Sequence, residues 1–349
     1  MKTRLSIFST IAILLFACSE NNITENTHKN VFDAFWQILD ERYVYFEEKG
    51  VDWDSVRTVY RTKVHSVNSD EELETIIEDV LTLFQDPHLY VAVNETKVIE
   101  HRITHHYRGQ NYASPADKYD FDTIRTHLFL EKKIFFTVQH RMKNYAYIDF
   151  IYLYDNNLQL IIDALKETNY KNGLIVDLRN GSSGHLKDVT DISSLFYSGK
   201  KNLFYSESKT GKGRNDFGKK IPYAYKGKDL VPESVPVVVL IDSVAYSAAN
   251  ILSFILDDFP NTVTIGTHTH GGGSPINSVP LPNGWMLTYP YQRFYSISGQ
   301  SMEAGLEPDI QLVFKVDESG SKDAHIARAL TVLDSINGFP KEDYENRYE

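Results

Sequence analysis

Residues 235–255 read VPVVVLIDSVAYSAANILSFI. Positions 235–241 form an unbroken apolar run rich in β-branched residues, the pattern of a strand covered on both faces. Asp242-Ser243 interrupts the run. Ala248, Ile251, Leu252 and Ile255 then recur at helical spacing. A buried strand that passes through a tight turn straight into a helix restricts the chain to layered α/β arrangements. Ser247 stands near the start of that helix, close to its free N–H groups and the positive end of its dipole. A hydroxyl there is either a helix cap, a duty equally open to Ser243, or an attacking oxygen whose target develops negative charge. The stretch by itself leaves both readings open.

The chain has 349 residues, 42% of them hydrophobic, enough for one large domain or a core with a smaller companion. A formal charge of −11 and a pI of about 5.6 give no basic face for nucleic acid. With 22 tyrosines and 19 phenylalanines, long disordered tracts are not expected. Lys2 and Arg4 precede an apolar run at 7–17 that is too short to span a membrane and fits a signal peptide. Leu15-Phe16-Ala17-Cys18 resembles a bacterial lipobox, although Phe16 stands where a smaller residue is usual. Cys18 is the single cysteine, so an intrachain disulfide is impossible and lipidation is its natural role. The mature chain is expected to be exported and tethered to a membrane by lipid.

The reading in order is a leader at 1–18, a polar tether at 19–28, a helical region at 29–93, a connecting segment at 94–144, a catalytic core at 145–315 and a closing helix and tail at 316–349. Phe32, Phe35, Trp36, Leu39, Tyr43 and Phe46 fall on one helical face. Asp54 is placed to cap a second helix, and Ser69-Asp70-Glu71-Glu72 is a capping box for a third. The third helix stops at Asp86-Pro87-His88, followed by a strand at 89–93. Strands are expected at 134–138, 145–151, 173–179, 262–265 and about 310, with helices at 158–165 and 324–333. The Lys/Gly-rich stretch 199–229 reads as a mobile excursion, and 285–289 with 292–296 as a hairpin. Asn180-Gly181-Ser182-Ser183-Gly184 is a small-residue loop whose backbone N–H groups can approach a ligand.

Five motifs, in one order, resemble the tail-specific or C-terminal processing serine peptidases. They are Leu83-Phe84-Gln85-Asp86-Pro87-His88, Asp177 through Gly184, Ala245-Tyr246-Ser247-Ala248-Ala249-Asn250, Thr269-His270-Gly271-Gly272, and Glu303 through Ile310. The family's lysine-using branch carries that lysine in the glycine loop, where this chain has Gly272. The resemblance is therefore to the tricorn-core branch, and it implies Ser247 as nucleophile, His88 as general base and Glu303 as the group that orients or charge-balances the base. It also implies an oxyanion hole from the backbone N–H groups of Ala248 and of Ser183 or Gly184. The implied fold is α/β (α+β), a crotonase-like ββα spiral core with a small helical region before it. The chemistry agrees: a serine hydroxyl needs an adjacent base, and a carboxylate stabilises the imidazolium that results. An unperturbed histidine would place the acid limb of activity near pH 6–7. Ser183, Gly181, Pro87 and Asn250 depart from the family's usual residues. Only about 55 residues separate His88 from the strand at Tyr145, too few for the PDZ domain that many members insert there.

No cofactor-binding motif is read, and no metal is expected. His268 and His270 alternate and His101, His105 and His106 cluster, but without the partners a zinc site needs. The expected partner is a protein or peptide substrate. The rival reading is an apolar-ligand carrier, since interphotoreceptor retinoid-binding proteins resemble the same family; a glycan-binding lipoprotein is a third.

Overall fold

A computed structural model describes residues 28–101, 123–130, 133–140, 143–150, 152–153, 158–313 and 323–337. Cys18, the leader, the tether up to residue 27, His105 and His106 lie outside the described residues, and His28, the last tether position, opens the first helix.

Four helices open the described chain. Helix α1 (His28–Arg42) buries Val31, Phe32, Phe35, Trp36 and Leu39 along one face, as their three- and four-residue spacing dictates. Tyr43 and Phe46 continue the spacing but lie past its end, and Phe46 opens the short α2 (Phe46–Lys49). Helix α3 (Trp53–Val64) is capped by Asp52, which accepts the Ser55 N–H at 3.1 Å. Asp54, the expected cap, sits instead in the first turn and binds Arg214. Helix α4 (Asp70–Phe84) has its capping box: Ser69 accepts the Glu72 N–H at 3.3 Å, while the Glu72 carboxylate accepts the Asn68 N–H at 2.8 Å. It stops at Gln85, which is left-handed with φ 47°. These helices share a core with β1 (Tyr90–Ala92) and β2 (Val98–Ile99).

The span read as a connecting segment carries β2 and also supplies β3 (Thr123–Leu130) and β4 (Lys133–His140) to the main sheet, next to β5 (Lys143–Phe150). The core sheet therefore begins before residue 145. A short β6 (Tyr152–Leu153), helix α5 (Leu158–Glu167), β7 (Leu174–Asp177), β8 (Ser183–Gly184) and helix α6 (Leu186–Ser193) follow. The Lys/Gly-rich excursion is a paired hairpin, β9 (Lys200–Ser208) with β10 (Ile221–Lys226). Its order comes from packing: Phe204 stacks on Tyr223 at 4.6 Å and meets Phe294 at 4.7 Å.

Next come β11 (Val237–Ile241), helix α7 (Ala248–Asp257) and β12 (Thr262–Gly266). After them lie β13 (Ile276–Pro280), β14 (Met286–Pro290), β15 (Gln292–Tyr295), β16 (Ile310–Gln311) and helix α8 (Ala324–Ile336). Strands β14 and β15 are not a hairpin: β14 pairs with β13 and β1, and β15 with β9. One intervening residue, Tyr291, is too few to reverse the chain between paired strands.

The main sheet runs β16-β12-β11-β7-β5-β4-β3, with parallel pairing from β16 to β5 and antiparallel pairing beyond. Period-two alternation divides the strands between its faces. Val237, Val239 and Ile241 join the core that includes Ile251, Leu252 and Ile255 of α7. Val238 and Leu240 join Ile326, Leu330 and Leu333 of α8. Both faces are covered, which explains the unbroken apolar run of β11. The chain is thus α/β, and the loops after β7, β11 and β12 gather at the C-terminal edge of its parallel strands. That edge is the usual place for a site in such sheets.

Candidate active site

Ser247 directly precedes α7, and its backbone is unusual for a non-glycine residue, with φ 55° and ψ −116°. Two neighbouring loops hold it there. Tyr246 N–H donates to Gly181 O at 2.9 Å, and Ser247 N–H donates to Gly271 O at 3.0 Å. Such a conformation costs about 1–3 kcal/mol and persists only where surrounding bonds enforce it. The side chain makes no capping bond. Instead Ser247 Oγ lies 3.1 Å from His88 Nε2, a residue 159 positions away. That separation is within the reach a serine–base pair requires.

His88 is fixed from the helical side. Its backbone N–H donates to Asp86 Oδ1 at 2.9 Å, and Asp86 Oδ2 accepts the Tyr43 hydroxyl at 2.8 Å. Its ring packs on Tyr246 with centroids 4.6 Å apart, and Tyr246 meets His270 at 5.3 Å on the other side. Burial, helped by the charge of Lys49 and opposed by Asp86, pushes the His88 imidazole down to about 4. The acid limb expected from an unperturbed histidine therefore moves well below pH 6–7. His88 Nδ1 is buried without a hydrogen-bond partner among the described residues.

Glu303 does not supply that partner. One of its oxygens pairs with Lys49 Nζ at 2.7 Å, and the other accepts the Gly273 N–H at 3.1 Å. Burial and the Asp86 charge push this carboxyl up to about 7, with Lys49 opposing. The direct orientation of His88 by Glu303 expected from the motif is not made here. The carboxylate acting most strongly on His88 is Asp86, whose own place in the motif, one residue before Pro87, was the available signal. Lys49 carried no signal, because nothing in its neighbourhood of sequence marks it as buried beside Glu303.

Gly184 lines the cleft in front of Ser247, and Ser183–Gly184 form β8 against β6. Ala248 occupies the first helical position, where an N–H has no intrahelical acceptor. The cleft measures about 550 Å³ and has an apolar wall from Leu186, Val189, Ile251 and Phe294. Asn250, which departs from the family's glutamate, is a buried tie: its amide donates to Met302 O at 2.8 Å and its oxygen accepts the Thr269 hydroxyl at 2.6 Å. Gly272 has φ 80°, and a Cβ there would lie 2.2 Å from the Tyr246 ring. Tyr246 thus occupies the space a side chain at the family's lysine position would need.

His101, His268 and His270 lie close enough for His270 to feel the other two electrostatically. His268 is half-exposed beside Glu307 at 3.9 Å, while His270 faces Tyr246. Among the described residues no three His, Cys, Asp or Glu side chains are grouped to hold a metal ion. No helix among the described residues is long and apolar enough to cross a membrane.

Comparison with known proteins places this geometry. Residues 144–312 match the model of peptidase family S41, and residues 24–82 match the tricorn protease C1 domain. The chain is 30% identical over 144 residues to a carboxy-terminal-processing protease of Bartonella bacilliformis, covering 41% of this chain and 31% of the relative. It is 26% identical over 151 residues to the carboxy-terminal processing protease CtpA of Bacillus subtilis, covering 43% and 30%. The chain therefore spans under a third of the length of these curated relatives. A crystal structure of a protein assigned as a peptidase from Parabacteroides merdae superposes with a TM-score of 0.72 at 25% identity, covering 88% of this chain and 97% of that one. The strand–turn–helix carrying Ser247, the glycine loops around it and four of the five ordered motifs fall within residues 144–312, the part of the chain that matches peptidase family S41.

Proposed function

We propose that the protein is a serine peptidase that hydrolyses peptide bonds through an acyl-enzyme on Ser247. The observation that carries this reading is the 3.1 Å contact between Ser247 Oγ and a buried His88 Nε2 at the floor of an open cleft. With Nδ1 carrying the proton, Nε2 is free to accept one. Ser247 Oγ attacks the carbonyl carbon as His88 removes its proton, and the carbonyl oxygen becomes an oxyanion. The Ala248 N–H and one from Ser183 or Gly184 are the donors proposed for it. His88 returns the proton to the departing amine, leaving the acyl-enzyme. Water then gives a proton to His88 and attacks the ester, and the proton goes back to Ser247 as the acid product leaves. Glu303 contributes charge balance through its pair with Lys49, and Asp86 fixes the backbone of the base. The described part of the span between His88 and Tyr145 is taken up by strands of the two sheets, which supports a chain without an inserted PDZ domain.

The test is cleavage of casein together with labelling by a fluorophosphonate probe. Wild type is expected to do both, and Ser247→Ala neither, with a loss of about 10⁶ in kcat as for other serine nucleophiles. Chelator is expected to change nothing. A wild type that neither cleaves nor labels would favour the apolar-ligand carrier. The leader motif and Cys18 support a lipid-anchored exported protein. Cys18→Ala is expected to move the protein from the membrane fraction to the soluble one, and an unchanged distribution would refute the anchor.

A further inference from the structure

Asp242 lies at the break between β11 and the Ser247 turn, and its side chain is turned inward and buried. Its carboxylate accepts N–H groups from two different loops. Oδ1 accepts Val244 N–H at 3.0 Å and Ala245 N–H at 2.9 Å, within the turn that leads to Ser247. Both oxygens also accept the Asn180 N–H, each at 3.1 Å, from the loop after β7. Strands β7 and β11 are parallel neighbours, so their loops leave the sheet side by side. Asn180 is one of the described non-glycine residues with positive φ, 57°, a region that asparagine enters more readily than most side chains. The next residue, Gly181, accepts the Tyr246 N–H through its carbonyl and approaches α7 so closely that a Cβ would lie 2.9 Å from the Ala249 Cβ. The two loops are thus stapled twice, and beyond the staples lie Ser183, Gly184 and Ala248.

We infer that Asp242 is a positioning residue that sets the spacing between the two halves of the oxyanion hole. This rests on the peptidase reading of the site. It acts on catalysis only through the backbone of residues 180–184 and 244–248 and touches no substrate. Its effect therefore belongs to the transition state, where the oxyanion forms, and not to substrate binding.

Asp242→Asn is the selective probe. The amide oxygen, in the place of Oδ1, can still accept the Val244 and Ala245 N–H groups and so preserves the local turn, while at the place of Oδ2 the Asn180 N–H loses its second acceptor and meets an NH2 donor, which selectively weakens the tie between the loops. In the full-length protein, three quantities are compared with wild type: kcat and KM on a fluorogenic peptide, the affinity of a peptidyl trifluoromethyl ketone whose serine adduct carries an oxyanion, and the melting temperature. The expected result is a folded variant with kcat down about 10²-fold, the scale of a small misplacement of catalytic groups. KM should stay within twofold, and ketone affinity should fall in parallel with kcat/KM. A folded variant with kcat within twofold of wild type overturns the inference. So does a rise in KM alone, which would make Asp242 a shaper of the cleft. If Asp242→Asn fails to fold, Asp242→Ser keeps a short acceptor for the turn without reaching Asn180 and is read the same way. Failure of both to fold would overturn the inference by making Asp242 a residue that holds the fold. An inactive, unlabelled wild type would instead overturn the peptidase reading, so the two failures are distinct.

Discussion

His88 Nε2 and Ser247 Oγ stand 3.1 Å apart, although one belongs to the loop after α4 and the other to the turn before α7. Their meeting depends on β1, which follows His88 and pairs with β14, docking the helical region on the sheet region. The contact is assembled by tertiary structure and nothing in the local chain produces it.

The first prediction is an acid-shifted pH profile. His88 must be neutral to act as base, and burial lowers it to about 4. Activity as kcat/KM is expected to keep its neutral base to well below pH 6 and to fall as pH drops through about 4, with the Glu303 carboxyl adding a separate, smaller step near pH 7. Stability moves in the same direction, because the unfolded chain takes up protons between pH 6.5 and 4 that His88 in the folded chain does not. Folding must therefore be monitored beside rate. His88→Gln is expected to lose about 10²–10⁴-fold or more. A limb centred near pH 6.5 that His88→Gln removes would show that burial does not depress the working base, and one that persists in His88→Gln would mean that another group is the base.

A second prediction separates the backbone of Ser247 from its hydroxyl. At φ 55° a Cβ is strained, so both Ser247→Ala and Ser247→Gly are inactive but differ in stability. The glycine variant is expected to be more stable than the alanine variant by about 1–2 kcal/mol in urea unfolding. Equal stabilities would show that the turn relaxes when the hydroxyl is removed.

The third concerns the Lys49–Glu303 pair. Glu303 is buried and Lys49 partly so, and the carboxyl left behind can protonate, so Lys49→Met is expected to cost about 1–3 kcal/mol, less than breaking a fully buried pair. Without the lysine the Glu303 carboxyl, already raised to about 7, rises further and is protonated at neutral pH. Lys49→Met/Glu303→Gln should recover much of the lost stability. A double variant no more stable than Lys49→Met would show that the lysine acts through something other than this pair.

The fourth concerns the far end of the chain. Arg179 is fully buried, with its guanidinium forked onto Asp177 at 2.9 and 2.6 Å and onto Asp323, the α8 cap, at 3.0 and 2.8 Å. It joins the loop that leads to Gly184 to the helix covering the opposite face of the sheet. Arg179→Met leaves two buried carboxylates facing each other and is expected to cost about 3–5 kcal/mol. Asp323→Asn should cost less, since the amide oxygen can still accept from Arg179 and from the helix N–H groups. Denaturant unfolding of both variants checks the order.

The sequence determined the parts whose physics is local. A two-faced strand needs an unbroken apolar run, and residues 237–241 have one. Amphipathic spacing marked α1, α4, α7 and α8, and a side-chain cap, Ser69, marked the start of α4. The ordered motifs mark Ser247, His88 and the glycine loops by residue type and spacing alone. Tertiary structure decided what depends on long-range approach. The stretch at 199–229 looks polar and loose in isolation, but β9 pairs with β10 and with the distant β15, and Phe204 packs on Tyr223 and Phe294. Strands β14 and β15 part company because their partners lie elsewhere in the chain. Asp86, Lys49 and Asp242 enter the site through burial and through bonds to residues 2 to 254 positions away, which composition and spacing do not record. Glu303 is the clearest case: its motif gave its place near the base, but the buried Lys49 amine decided what its carboxylate binds.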